Sequence, residues 1–303
     1  MSREVRNVGA SVRARLLERA RREKTDYQLL LTRYALERLL YRLSVSALRD
    51  RFVLKGALLF SAWLRDPFRP TRDLDLLGYG PNDAEAIAQS FRTICSTAVP
   101  DDGLAFDSEG ATVTPIREEL EYGGMRVQTN ALLDGARIPI QVDVAFGDIL
   151  TPGPVEIDYP VLLDSPAPHL RVYPVETVVA EKFHAIVFLG IANSRLKDFY
   201  DLWLISRTFA FDGTTLYAAV QRTFDRRETP IPRDVPTGLT RSYAEEWGGR
   251  WAAFLRREHM QAVPTELSQL LEDLRQFLVP LTVAPEGSSH WPVGGPWASR
   301  RQD

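Results

Sequence analysis

The chain has 303 residues, 45% hydrophobic and 25% charged, with a formal net charge of −3 and one cysteine. That balance excludes collagen-like, coiled-coil and wholly disordered chains, and the net charge excludes a protein held to nucleic acid by bulk positive charge. A lone Cys95 permits no internal disulfide and no cysteine-built zinc site, and four dispersed histidines (His169, His184, His259, His290) do not replace one. The first two dozen residues hold no apolar run of signal-peptide length. The longest apolar stretch, 175–192, is broken by Glu181, Lys182 and His184, so the expectation is a soluble, cytoplasmic protein with no membrane segment.

Residues 9–24 and 26–48 read as helices, the second with Leu29, Leu30, Tyr34, Leu36, Leu39, Leu40 and Leu43 near helical spacing behind Thr25-Asp26. The first is basic: eight Lys/Arg stand before residue 25 against Glu4, Glu18 and Glu23. Arg15, Arg19 and Arg22 recur at i, i+4 and i+7, so one face could track an RNA backbone or could simply be solvated. RFVLKG then reads as a strand, ALLFSAWL as a helix and DLDLLGY as a second strand, followed by a helix over PNDAEAIAQSFRTICSTAV. AFDSEGATVTPI, MRVQTNALL and RIPIQVDVAF read as strands, the last two joined by an Asp134-Gly135 hairpin turn. Six prolines make 151–174 a connection, 175–278 is mostly helical, and the Gly/Pro/Ser-rich tail from 283 reads as disordered. The domain plan is therefore N-terminal helices (1–48) packing on a sheet core (49–150), a Pro-rich connection (151–174), a helical domain (175–282) and a tail (283–303).

The carboxylates carry the chemistry. On a strand, Asp73 and Asp75 share one face, with Thr71 if the strand reaches it, while Leu74 and Leu76 enter the core. Two carboxylates about 7 Å apart suit divalent cations, and equally suit the solvated face of an edge strand. In the later strand, Ile138, Ile140, Val142 and Val144 alternate with Asp143, which could add a third carboxylate to an oxygen cage. The turn Lys55-Gly56-Ala57 opens a helix whose first amides could cradle phosphate.

FVLKGALLF followed by RPTRDLDLL resembles the signature of the polymerase β-type nucleotidyltransferase superfamily. The Lys before the turn and the Thr71-Arg72-Asp73-Leu74-Asp75 strand are similar to the AbiEii/AbiGii nucleotidyltransferase toxins, which include the MenT type. AEKFHAI, with Lys182, and RLKDFYDLW, with Asp198 and Asp201, fit the same family. One departure stands out: the turn usually reads Gly-Gly or Gly-Ser, and here Ala57 takes its second position.

The resemblance implies an α+β (α/β) fold, with N-terminal helices, a mixed sheet core of polymerase β type and a helical C-terminal half. It implies Mg2+ or Mn2+ on Asp73, Asp75 and Asp143. NTP would be held by Lys55, Gly56, Ala57, Thr71, Arg72 and Lys182, with Asp198 orienting Lys182 or acting on the attacking hydroxyl. The implied activity is transfer of NMP from NTP to an RNA hydroxyl, tRNA 3′ ends in some members, arresting growth. A cognate antitoxin is the implied protein partner. Two rivals stay open at this point: a nucleotidyltransferase acting on a small molecule, and a catalytically silent NTP-binding interaction protein. The pair Lys182–Asp198 also has a purely structural reading, as an ion pair between packed helices.

Overall fold

Short polar side chains start the first helices. Asn7 accepts from the Ala10 amide at 2.9 Å to begin α1 (Val8–Glu23), and Asp26 accepts from the Leu29 amide at 2.6 Å to begin α2 (Tyr27–Val45). The structure is a computed structural model that describes residues 7–64, 72–116, 123–258, 260, 263–285 and 289–299. Thr71 lies outside the described residues. Beyond α2 come β1 (Phe52–Lys55), α3 (Leu58–Trp63), β2 (Asp73–Gly78), α4 (Ala84–Ser96), β3 (Leu104–Phe106) and β4 (Thr112–Ile116). The strand expected over 105–116 is thus two strands, parted by a turn in which Asp107 accepts from the Gly110 amide at 2.8 Å. Next are β5 (Gly124–Leu133), β6 (Ala136–Phe146), β7 (Val155–Asp158) and β8 (His169–Val172). These belong to one compact unit, residues 1–147 and 155–172.

Its sheet is mixed α/β in character, with strand order β3-β5-β6-β2-β1-β8-β7 and β4 also on β5. Asp134 and Gly135 both take positive φ (44° and 79°), the two-residue turn that matches strand twist, and this fixes Leu133 opposite Ala136. β6 runs parallel to β2, and β2 antiparallel to β1. Leu74, Leu76, Val127, Ala131, Ile138, Ile140, Val142 and Val144 are buried on the face that α2 and α4 cover. α2 is also polar inside. Arg42 donates to both oxygens of Asp102 at 2.6 and 3.1 Å, and the Glu37–Arg38 pair is almost fully buried. Burial pushes the Glu37 carboxyl up to about 7.

The connection expected over 151–174 is corrected here. Its prolines sit mostly at strand ends, leaving two four-residue strands free to pair, and β8 lies beside β1 through Leu54 and Val172.

The second unit comprises residues 148–154 and 173–303. It holds α5 (Val175–Leu189), α6 (Leu196–Thr208), β9 (Phe211–Asp212), α7 (Gly213–Arg226), α8 (Arg241–Arg257), α9 (Leu267–Leu278), β10 (Ser289–Trp291) and β11 (Ala298–Ser299). The tail is corrected over residues 289–299, while 286–288 and 300–303 lie outside the described residues. Trp291 is buried against Phe277, its indole N–H donates to the Ser206 carbonyl at 2.8 Å, and β10 pairs with both β9 and β11. The chain therefore passes between units three times, at 147/148, 154/155 and 172/173. Among the described residues, no helix is long and apolar enough to cross a membrane.

His184 on α5 is 1% exposed. Arg227 can only donate, so His184 Nδ1 accepts from it at 3.2 Å, and Nε2–H donates to Thr229 Oγ1 at 2.9 Å. Burial, then the Arg227 charge, pushes this imidazole down to about 4. Between the ordinary histidine value and about 4, only the unfolded chain binds this proton. Stability therefore falls as pH drops, by roughly 2 kcal/mol at pH 5. Glu37, with a raised value, acts the other way: its contribution is present at low pH and is lost as pH rises toward 7. Denaturant melts at pH 7.5, 6 and 5 should therefore show a steeper acid loss for wild type than for His184→Gln. Parallel slopes would remove His184 as the cause.

Candidate active site

The strand register gathers the predicted residues into one row. Lys55 on β1 pairs with Asp75 on β2, Asp75 with Asp143 on β6, and Asp143 with Arg126 on β5. Residues directly paired across strands share a face and sit about 5 Å apart, so one line of charges crosses four strands. Asp73 lies two residues along β2 on the same face and is exposed, whereas Asp75 and Asp143 are half-buried. Arg72, just before β2, is exposed.

Gly56 explains the turn after β1. Its φ is +74°, and a Cβ there would lie within the van der Waals envelope of Asp75 Oδ2 and 2.6 Å from its Cγ. Only glycine lets the backbone lie flush against this carboxylate. Ala57 has φ −69° and ψ −22°, ordinary helical values at the start of α3. The positive φ belongs to Gly56, so Ala57 costs the turn nothing. Gly56→Ala should lower both the melting temperature and catalysis, by about 2 kcal/mol in stability for combined backbone strain and displacement of Asp75. Unchanged thermal unfolding and unchanged transfer rates would overturn this.

The three-carboxylate cage expected for a metal meets a competitor. Arg126 Nε and Nη2 donate to Asp143 Oδ1 and Oδ2 at 2.8 and 2.7 Å, a bidentate pair that uses both oxygens. The Asp143 hydrogen bond, with Asp143, Asp73 and Asp75 charge nearby, outweighs burial and holds the Arg126 guanidinium above its ordinary value. Among the described residues, no three His, Cys, Asp or Glu side chains gather as a metal site. The hard oxygen donors suit a divalent cation in type. Asp73 and Asp75 would hold one, and Asp143, with one lone pair of each oxygen taken by Arg126, would have to share its carboxylate between the cation and the guanidinium.

In the second unit, Lys182 Nζ donates to Asp198 Oδ1 at 2.6 Å and lies 2.9 Å from Asp201 Oδ2. Burial alone would lower the lysine, but the two aspartates outweigh it and hold Lys182 above the ordinary value. Asp198 is buried, which alone would raise it; Lys182 outweighs that and holds it low. The lysine expected to reach phosphate thus has its charge engaged by two carboxylates of the next helix.

The candidate RNA face on α1 is likewise occupied in part. Arg15 pairs with Asp164 at 2.6 Å, and Arg19 donates to the Leu162 carbonyl and to Glu23. Arg22 lies 3.6 Å from Glu23 and stays mostly in solvent. Two of the three arginines fasten the 162–164 segment to α1.

Arg126 was missing from the sequence-derived site, although the Asp134-Gly135 hairpin already determines its partner. Counting seven residues back from Leu133 and seven forward from Ala136 reaches Arg126 and Asp143.

A crystal structure of a Helicobacter pylori protein described as a nucleotidyltransferase shares 13% identity over 84% of this chain and 98% of its own, with a TM-score of 0.47. The crystal structure of JHP933 from Helicobacter pylori shares 11% identity over 84% of this chain and 95% of its own, with a TM-score of 0.45. No curated protein matches. The model of the family described as "Nucleotidyl transferase AbiEii toxin, Type IV TA system" matches residues 38–278, which include every described member of the charged row and the Lys182 cluster. The chain therefore belongs to the AbiEii nucleotidyltransferase toxin family of type IV toxin–antitoxin systems, and is a nucleotidyltransferase with an antitoxin counterpart.

Proposed function

We propose that this toxin transfers NMP from an NTP to the 3′-terminal hydroxyl of an RNA, with tRNA as the acceptor, and thereby arrests growth. The observation that carries the reading is the aligned row of Lys55, Asp75 and Asp143, with Asp73 beside it and Gly56 packed on Asp75. A divalent cation held by Asp73 and Asp75, Mg2+ or Mn2+, would neutralise phosphate charge and polarise the α-phosphoryl group. Lys55 draws the triphosphate toward the row, and the Gly56-Ala57 backbone and exposed Arg72 stand beside it. Asp73, the most exposed carboxylate, takes the proton of the RNA hydroxyl. That oxygen attacks the α-phosphorus, the bond to the bridging oxygen breaks, and pyrophosphate leaves.

The test is incubation of the full chain with each α-labelled NTP and deproteinised bulk RNA, with and without Mg2+ or Mn2+. Label should enter tRNA-sized RNA only with the cation. Label confined to small molecules, or no transfer from any NTP, would overturn the reading.

A further inference from the structure

We propose that the open face of β4, β5 and β6 is the platform on which the single-stranded end of the RNA acceptor lies, hydrogen-bonded by Thr112, Gln128 and Gln141. This rests on the RNA-acceptor reading above and assigns the surface that serves it.

A second row runs beside the charged one. Thr112 pairs with Gln128, Gln128 with Gln141, and Gln141 with Asp73. Paired residues share a face, so this line of neutral donors and acceptors leads directly to the carboxylate nearest solvent. Thr112 and Gln128 are exposed and Gln141 is half-buried. None of the three side chains makes a hydrogen bond among the described residues. A carboxamide presents a donor and an acceptor in one plane, the combination that reads base edges and 2′-hydroxyls.

The charge fits the same partner. β4, β5 and β6 contain Arg126, Arg137 and one carboxylate, Asp143, which Arg126 already neutralises. On these three strands no other carboxylate repels phosphate, and the next ones on the face, Asp73 and Asp75 of β2, are where the RNA end would meet the cation. Exposed Arg137 shares the Asp143 face six residues away, about 20 Å along the strand, where a backbone phosphate of a lying strand could meet it. A protein partner fits poorly. Such interfaces centre on clusters of buried aromatic or other large apolar anchors. This face offers only separated Ile116, Pro139 and half-exposed Leu132, and none of its three strands adds an aromatic side chain to it. The missing aromatics also mean that hydrogen bonds, rather than stacking, would hold the bases.

The experiment uses the full chain, Thr112→Val/Gln128→Leu and Arg137→Gln with a fluorescent single-stranded RNA of about 12 nucleotides, a length typical of such sites. The double variant should bind this RNA about tenfold more weakly, two hydrogen bonds being worth roughly that factor together, with melting temperature and NTP affinity unmoved. Arg137→Gln should reduce the salt slope of RNA binding by about one. Where transfer is measurable, the KM for RNA should rise in the double variant while the KM for NTP stays fixed. Should the double variant fold poorly, Gln128→Ser at its exposed strand position should still lose about fivefold in RNA affinity. Absence of binding by wild type, or equal RNA affinities in wild type and variants, would overturn the platform. If wild type binds this RNA yet transfers nothing to bulk RNA, the proposed function fails while the affinity comparison still decides the platform.

Discussion

Asp75→Asn and Asp73→Asn should each lower nucleotidyl transfer by at least about a thousandfold, a scale set by losing a carboxylate that organises charge at a phosphoryl centre. The fold should survive. Both side chains lie on the face opposite Leu74 and Leu76, and the amide matches the carboxylate in size, so no cavity opens. Removing one negative charge also eases repulsion along Asp73, Asp75 and Asp143, and the metal-free melting temperature should hold or rise slightly. The two readouts must part: activity lost, stability kept. Transfer within tenfold of wild type in either variant would show that the charged row is not the reaction centre.

Lys182→Met should do the reverse and act first on stability. Methionine replaces the stem but leaves Asp198 and Asp201, both buried, without their shared cation. Breaking a buried ion cluster by removing one partner costs about 3–5 kcal/mol, most of it from the stranded charges. The triple variant Lys182→Met/Asp198→Asn/Asp201→Asn should regain much of that loss, because the stranded charge is gone. Kinetics then separate two roles for the lysine. An unchanged KM for NTP in the folded fraction assigns Lys182 to holding α5 against α6. Unchanged stability with a raised KM would assign it to phosphate instead.

Much of this was legible from residue order, for identifiable reasons. Alternation alone placed Asp73, Asp75 and Asp143 opposite the apolar set, because a strand has no other way to bury Leu74 or Val142. Arg126 escaped because pairing across a hairpin is a property of two segments at once, although the turn dipeptide set its register. β7 and β8 were hidden for a different reason. Four residues between prolines carry too little alternation, and β8 joins the sheet through β7 beside it and through β1, more than a hundred residues earlier. The tail misled through averaging: glycine, proline and serine supply nine of its 21 residues, while Trp291 and Trp297 do the packing. At the turn after β1, the sequence showed one glycine, and only the backbone angles reveal that one suffices.

The chain's three passages between its two units have a consequence for synthesis. β1 is made early, yet its partner β8 emerges about 120 residues later, after a stretch that already belongs to the other unit. During translation β1 therefore waits with one edge bare, and bare strand edges invite pairing with other chains. A nascent chain arrested near residue 150 would hold every carboxylate of the charged row and still lack a finished sheet. For a toxin, that order delays completion of the sheet that carries the charged row until residue 172 has left the ribosome. It also means that no single cut divides the gene into two self-contained halves, so fragments should rescue each other only when the 155–172 strands travel with the first.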